Sequence, residues 1–397
     1  MIADELAAWA VAYRSTETDL ALAQRALLDT VSTAIAAREH PIIGRSRALG
    51  EGGRWAVAAH VLDLDDLHIP STTHISTVCV PATLAVRGGA DDYLRGAGVM
   101  ARIGTALGWR HYRAGWHATT TAGALGAAVC AATALGLDAE QVAAAIVLAV
   151  PAAGGVQRAF GTDAKSLQVG IAVDAGIRAA ELARDGAQAD PSAVEAWLDL
   201  LQASGSAVTD LGGADPAVPD GLAIKLHPCC YALQRPIAAV RDIRDRIDPD
   251  SVEGIIVRTP AGTVTPLLHH RPQTGLEGKF SLEYAVAAAL LDENCGFGSF
   301  TDAAVRRERA RRLVELVEIE LGDSGGDGLL DGEVELVIVA AGQTHRAGMA
   351  LPPGAPGRPP TDEQMALKVA DCLAGTAVSA AEVTWSAAPE LLRVQLG

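Results

Sequence analysis

Apolar residues recur at helical spacing through most of the first 200 positions. Leu20, Ala23, Leu27, Leu28, Val31 and Ile35 follow the three-to-four-residue rhythm of one helix face, and residues 1–60 as a whole read as helices. Residues 56–64 form another apolar run that ends in Asp63, Asp65, Asp66 and His68. Residues 70–73, Pro-Ser-Thr-Thr, read as a loop. Helices are predicted over 78–86 and 91–108, with Gly108 as terminator. Ala and Gly dominate from 119 to 185, which predicts buried helices packed closely through small residues. Asp138 with Gln141 three residues on is a variant capping box. Residues 166–184 predict a further helix, ended by Gly186, and 203–220 predict a loop.

The texture changes near residue 248. Residues 251–259 have strand character between Pro249 and Pro260, and 280–291 read as a helix. Residues 314–321 and 332–340 are strand-like, joined by the Gly- and Asp-rich stretch 322–328. The Pro/Gly-rich piece 352–360 leads into a helix over 361–372. The expected organisation is mainly α: an all-helical domain over 1–245 and 361–397, and a smaller α+β domain over 246–360. No repeat of 20–50 residues is present.

Composition narrows the function. The chain has 397 residues, a length that suggests two or three domains. It carries 48 acidic and 32 basic side chains, a net charge of -16, with 4% aromatics. That argues against a nucleic-acid surface, which needs basic patches and stacking rings. Six cysteines without a CxxC pair make neither a disulfide scaffold nor a structural zinc site, and fit a reducing cytoplasm. The acid-bearing N-terminus lacks the form of a signal peptide. The charge-poor stretch 115–137 is built of Ala, Gly and Thr, too weakly apolar to span a bilayer, and 141–157 is broken by Pro151 and Gly154-Gly155. The expectation is a cytoplasmic protein with neither nucleic acid nor membrane as partner.

Only four basic residues are lysines: Lys165, Lys225, Lys279 and Lys368. Four clusters are candidates for chemistry. LDLDDLHIPSTTH (62–74) holds acids and two histidines, but its spacing matches no standard zinc pattern, so no metal is expected. His68 reads as solvation of a helix C-terminus. His74 follows a loop and starts a helix, where a side chain can face a cleft. In GWHATTTAGALGAA (115–128), His117 with Thr119 and Thr120 stands at a helix mouth suited to a carboxylate. In FGTDAKSLQVG (160–170), Lys165 stands in or before the first turn of a helix, where a solvated lysine is equally ordinary. AIKLHPCCYALQRP (223–236) sets Lys225, His227, Cys229 and Cys230 side by side, a pattern met more often as small packing than as a nucleophile. P-loop and GxGxxG patterns are absent. What remains is His and Lys at loop-to-helix junctions, suited to binding carboxylates and moving protons without a cofactor.

These segments, with TGLEGKFSLEY (274–284) and PGRPPTDEQMALK (356–368), resemble the MmgE/PrpD family in order over nearly the whole chain. That family includes 2-methylcitrate dehydratase, cis-aconitate decarboxylase and iminodisuccinate epimerase. The resemblance implies a large all-α domain with a smaller α+β lid, a homodimer, and no metal or organic cofactor. It places Asp63, His74, His117, Lys165 and Lys225 in a cleft, with Tyr284 contributed by the lid. The implied chemistry is proton abstraction next to a carboxylate of a small di- or tricarboxylate. Asp63, His74, His117, Lys165 and Tyr284 are expected as the catalytic set; Lys225, Cys230, Thr119 and Gln168 are expected to bind substrate.

The chain departs from the family pattern at Cys230, where decarboxylase-like members carry histidine, and at Gln168, where many members have histidine. Leu67 replaces a commoner Thr, and the stretch 44–54 is short. The first expectation is dehydration of a 2-methylcitrate-like hydroxy acid. The alternatives are epimerisation or decarboxylation within the same family, or a catalytically degraded homologue that only binds.

Overall fold

The computed structural model describes residues 1–203, 208, 216–322 and 328–397. Most of the loop expected over 203–220 and of the connection expected over 322–328 lies outside the described residues. The described residues hold 18 α-helices and one four-stranded sheet, a mainly-α protein with a small α+β part. Contacts divide the chain into two compact units, Met1–Ala223 with Ala366–Gly397, and Ile224–Met365.

The first unit is all helical. Its centre is the helix Ala118–Ala134, buried from Ala118 through Thr133 and packed between Ala90–Arg113 and Asp163–Arg184. Small residues make this packing possible. A Cβ on Gly176 would come 2.5 Å from the Ala124 carbonyl oxygen, and one on Gly170 would come 2.6 Å from that of Gly53. The Ala/Gly richness of 119–185 is therefore a requirement of close helix approach. Asp138 caps Ala139–Ala149, accepting from Gln141 N–H at 2.9 Å while Gln141 Oε1 accepts from Asp138 N–H at 3.2 Å. Gly108 breaks the helix at φ 63°, but a further helical segment runs on to Arg113. The predicted helix at 78–86 begins earlier, as Ser76–Ala85, and carries Pro81 inside it. No helix among the described residues is long and apolar enough to cross a membrane.

The second unit carries the sheet in the order β2-β1-β3-β4. Strand β1 (Val252–Pro260) pairs in parallel with β2 (Val317–Gly322) and antiparallel with β3 (Val334–Ala340), which pairs antiparallel with β4 (Gln343–Met349). Residues 314–315, expected as strand, instead end the helix Glu308–Glu315. The fourth strand carries no apolar alternation, because it is the exposed edge. Ala341 and Gly342, with φ of 48° and 73°, turn the chain into it. The division at Ala223/Ile224 lies upstream of the expected boundary at 245. The reason is packing: in the helix Gln234–Arg241 and just before it, Leu233, Ile237 and Val240 join Val257, Leu336 and Ile338 in one core. A change of composition marks where strands start, not where a core starts.

Candidate functional site

The candidate site in the first unit is built on one sharp turn. The helix Glu51–Val61 ends, and Asp63 takes a left-handed φ of 56°. Asp is one of the few non-glycine residues that adopts this region at low cost. The turn sends the Asp63 carboxylate to the Lys165 ammonium, with which it forms a buried ion pair. It also sends Asp65 back against His60 of the helix just left: His60 Nδ1 lies 2.7 Å from Asp65 Oδ2. Lys368 holds the turn from behind. It donates to the Leu64 carbonyl at 2.9 Å and pairs with buried Asp29.

Three histidine rings meet beside this turn. His60 stacks on His117 with centroids 5.6 Å apart and meets the edge of His74 at 5.0 Å. His74 Nδ1 donates to the Asp66 carbonyl at 2.5 Å and lies 3.2 Å from Asp65 Oδ2. A carbonyl only accepts, so the proton of neutral His74 is on Nδ1 and its basic lone pair is on Nε2. His60 Nε2 is buried with no hydrogen-bond partner among the described residues. Burial, with His60, Lys165 and His74 nearby, holds the His117 pKa well below that of an ordinary imidazole. Phe160 closes one side, edge-on to His117 at 5.0 Å, and the Lys165 Nζ lies 5.5 Å from the centre of its ring.

Asp66 is fully buried and accepts from Ser76 N–H at 3.1 Å and from the Ser76 hydroxyl. Desolvation, with the negative charges of Asp29 and Asp65 adding to it, pushes its carboxyl up to about 7.

The structure thus brings together Asp63, His74, His117, Thr119, Lys165 and Gln168. Lys165 is in the first turn of Asp163–Arg184 as expected, but buried rather than solvated. The Thr119 and Thr120 hydroxyls, read as carboxylate ligands, have protein partners. Thr119 Oγ1 accepts from His74 N–H at 3.1 Å, and the Thr120 hydroxyl donates to the carbonyls of His117 and Gly154. His68 is buried instead of solvating a helix end. Its ring bonds Ser71 Oγ at 2.7 Å and the Pro219 carbonyl at 2.8 Å, closing the loop before His74.

Lys225, Cys230 and Tyr284 belong to the second unit. Lys225 is buried near Cys229, as is Lys279; Cys230 is half-buried, and its N–H donates to the Lys279 carbonyl at 3.0 Å. Tyr284 is fully buried in that unit's core and donates its hydroxyl proton to the Ser299 carbonyl.

Two members of the cluster are absent from the expected set, His60 and Asp65. His60 hides as the one ionisable residue in the apolar run 56–62, and its signal is the pairing with Asp65 five residues on. His60, Asp65 and His74 also bring three ligand atoms within 4.8 Å of one another. A divalent cation takes that donor set only by displacing the proton between His60 and Asp65.

The MmgE/PrpD N-terminal domain matches residues 54–203 and the MmgE/PrpD C-terminal domain matches residues 227–389. The chain belongs to the MmgE/PrpD family. Among curated relatives, the cis-aconitate decarboxylase of Mus musculus is 26% identical over 294 residues, 66% of this chain and 59% of that protein. That of Aspergillus terreus is 24% identical over 350 residues, 74% of this chain and 70% of that protein. The Homo sapiens enzyme of the same name is 25% identical over 293 residues, 66% of this chain and 60% of that protein.

Proposed function

We propose that this protein is a cofactor-independent lyase that moves a proton beside a carboxylate of a small di- or tricarboxylate. The observation that carries the reading is the His60–Asp65–His74 array, with His117 stacked on it, together with the buried Lys165–Asp63 pair. Such an array offers a base with a carboxylate behind it and an ammonium to hold an anion. His74 Nε2 carries the proton: it is the base where a C–H bond breaks and, once protonated, the acid that protonates carbon after carbon dioxide leaves, with Asp65 stabilising the imidazolium. Lys165 has three donors, so a substrate carboxylate shares its ammonium with Asp63.

Two outcomes of this chemistry are open to the site. Loss of carbon dioxide is supported by the names of the matched relatives, which are cis-aconitate decarboxylases. Loss of water from a 2-methylcitrate-like acid, the first expectation, is supported by family membership alone. Decarboxylation is therefore the preferred reading, and Cys230, standing where decarboxylase-like members carry histidine, is the departure that counts against it. The test is a panel of di- and tricarboxylates followed by carbon dioxide release and alkene absorbance. Release of carbon dioxide from cis-aconitate supports decarboxylation. A new alkene without it supports dehydration, and deuterium uptake without either supports epimerisation. Binding without turnover of any of them leaves a binding protein.

A further inference from the structure

Gln168 meets the cluster at His117, whereas Asp65 meets it at His60 and His74. The Gln168 Oε1 accepts from the Val156 N–H at 3.2 Å and its Nε2 donates to the Val156 carbonyl at 3.3 Å. This double bond to one backbone unit fixes which end of the amide is which. The flipped amide would set NH2 against N–H and oxygen against oxygen. The second Nε2 proton then points at His117 Nδ1, 2.6 Å away. The one acceptor and two donors used here suffice for all three contacts.

The backbone under this amide is itself held. His117 N–H donates to the Gly155 carbonyl at 3.1 Å and Gln157 N–H to the Gly115 carbonyl at 2.8 Å. Gly155 has φ 98°, and a Cβ there would come 2.1 Å from Thr120 Oγ1, so only glycine fits. Val156 and His117 are thus clamped to each other before Gln168 bridges them.

We propose that Gln168 is a positioning residue that fixes His117 as a neutral imidazole with its proton on Nε2. An Nδ1 that receives an N–H bond must be a lone pair, so the one ring proton sits on Nε2. His74 is set the opposite way by the Asp66 carbonyl, with Nε2 as its lone pair. The two rings are therefore unlike: His74 accepts a proton and His117 offers one. In the lyase reading, on which this role but not the tautomer rests, dehydration or epimerisation breaks a C–H bond and the proton goes to His74 Nε2, whereas decarboxylation breaks a C–C bond, releases carbon dioxide and takes a proton onto carbon from His74 that is already protonated. The electron pair passes into the adjacent carboxylate, and His117 Nε2–H donates a hydrogen bond to the oxygen where charge develops. His60, Lys165 and His74 oppose a second proton on His117, and Asp65 favours one.

The test is a long-range proton–nitrogen spectrum of the full, nitrogen-15-labelled protein, with His117 assigned by comparison with His117→Gln. The expected result is a pyridine-type Nδ1 and a protonated Nε2 at neutral pH. In Gln168→Glu the acceptor faces Nδ1, so the proton moves to Nδ1 or the ring becomes doubly protonated, and the pyridine-type Nδ1 signal is lost. A merely structural role leaves that signal in place. A wild-type His117 protonated on Nδ1 overturns the proposal, as does a folded Gln168→Glu with an unchanged tautomer. The wild-type spectrum decides even if the variant does not fold. No turnover is needed, so a correct tautomer with no active substrate counts against the lyase reading and not against this one.

Discussion

The Asp65 carboxylate backs the His74 ring: Oδ2 lies 3.2 Å from His74 Nδ1, and Asp65 is only 1% exposed. A buried carboxylate in this position raises the basicity of the far nitrogen and holds the ring in one tautomer. Asp65→Asn keeps the shape and removes the charge. The expected result is a fall in kcat of roughly 10²- to 10⁴-fold with KM little changed, read by steady-state kinetics on the active carboxylate.

Lys165 and Asp63 are 10% and 4% exposed at their side chains, so neither tolerates the loss of the other. Lys165→Ala takes the ammonium away from a buried carboxylate and is expected to cost about 3–5 kcal/mol in a denaturant melt. The double variant Lys165→Met with Asp63→Leu is expected to recover most of that stability without recovering substrate binding. Recovery of both contradicts a role for Lys165 in holding substrate.

The proton on Asp66 sets a pH dependence of stability. Its folded pKa of about 7 is above the ordinary carboxyl value of 3.8, so its stabilising contribution is complete below about 4 and is lost as pH rises to about 7. His68 and His111 act in the opposite direction. Their folded pKa values of about 4 lie below 6.5, so their contribution is present above 6.5 and lost as pH falls toward 4. Asp66→Asn removes only the first trend. Denaturant melts at several pH values between about 4 and 7 are expected to show stability rising more steeply with pH in the variant than in the wild type. Parallel curves contradict a protonated Asp66.

The His60, Asp65 and His74 donor atoms predict a sensitivity to zinc. Added Zn²⁺ is expected to inhibit by displacing the proton between His60 and Asp65, and a chelator is expected to restore activity. The chelator alone is expected to change nothing. Loss of activity with the chelator alone points to a resident metal.

The helical architecture was legible from the apolar spacing of helices such as Glu17–Ala36 and from the Ala/Gly-rich run that fills the fully buried helix Ala118–Ala134. The capping box at Asp138 and Gln141 was legible because its chemistry is local. His74, His117 and Lys165 stood out because each is a polar residue at a loop-to-helix junction. His60 did not, because it lies within an apolar run and becomes significant only once the turn at Asp63 brings Asp65 back against it. Strand β4 was hidden for the opposite reason: an exposed edge needs no apolar pattern. The burial of His68 depends on the distant Pro219 carbonyl, which no local reading supplies.

The central claim is that His74 moves a proton at a carbon beside a substrate carboxylate. It is tested most directly by incubating the carboxylate panel in deuterated water with wild type and His74→Gln and reading the carbon-bound hydrogens by NMR. The account predicts solvent deuterium at that carbon with the wild type and loss of this incorporation in a folded His74→Gln. Turnover without solvent deuterium, or undiminished incorporation in His74→Gln, contradicts it.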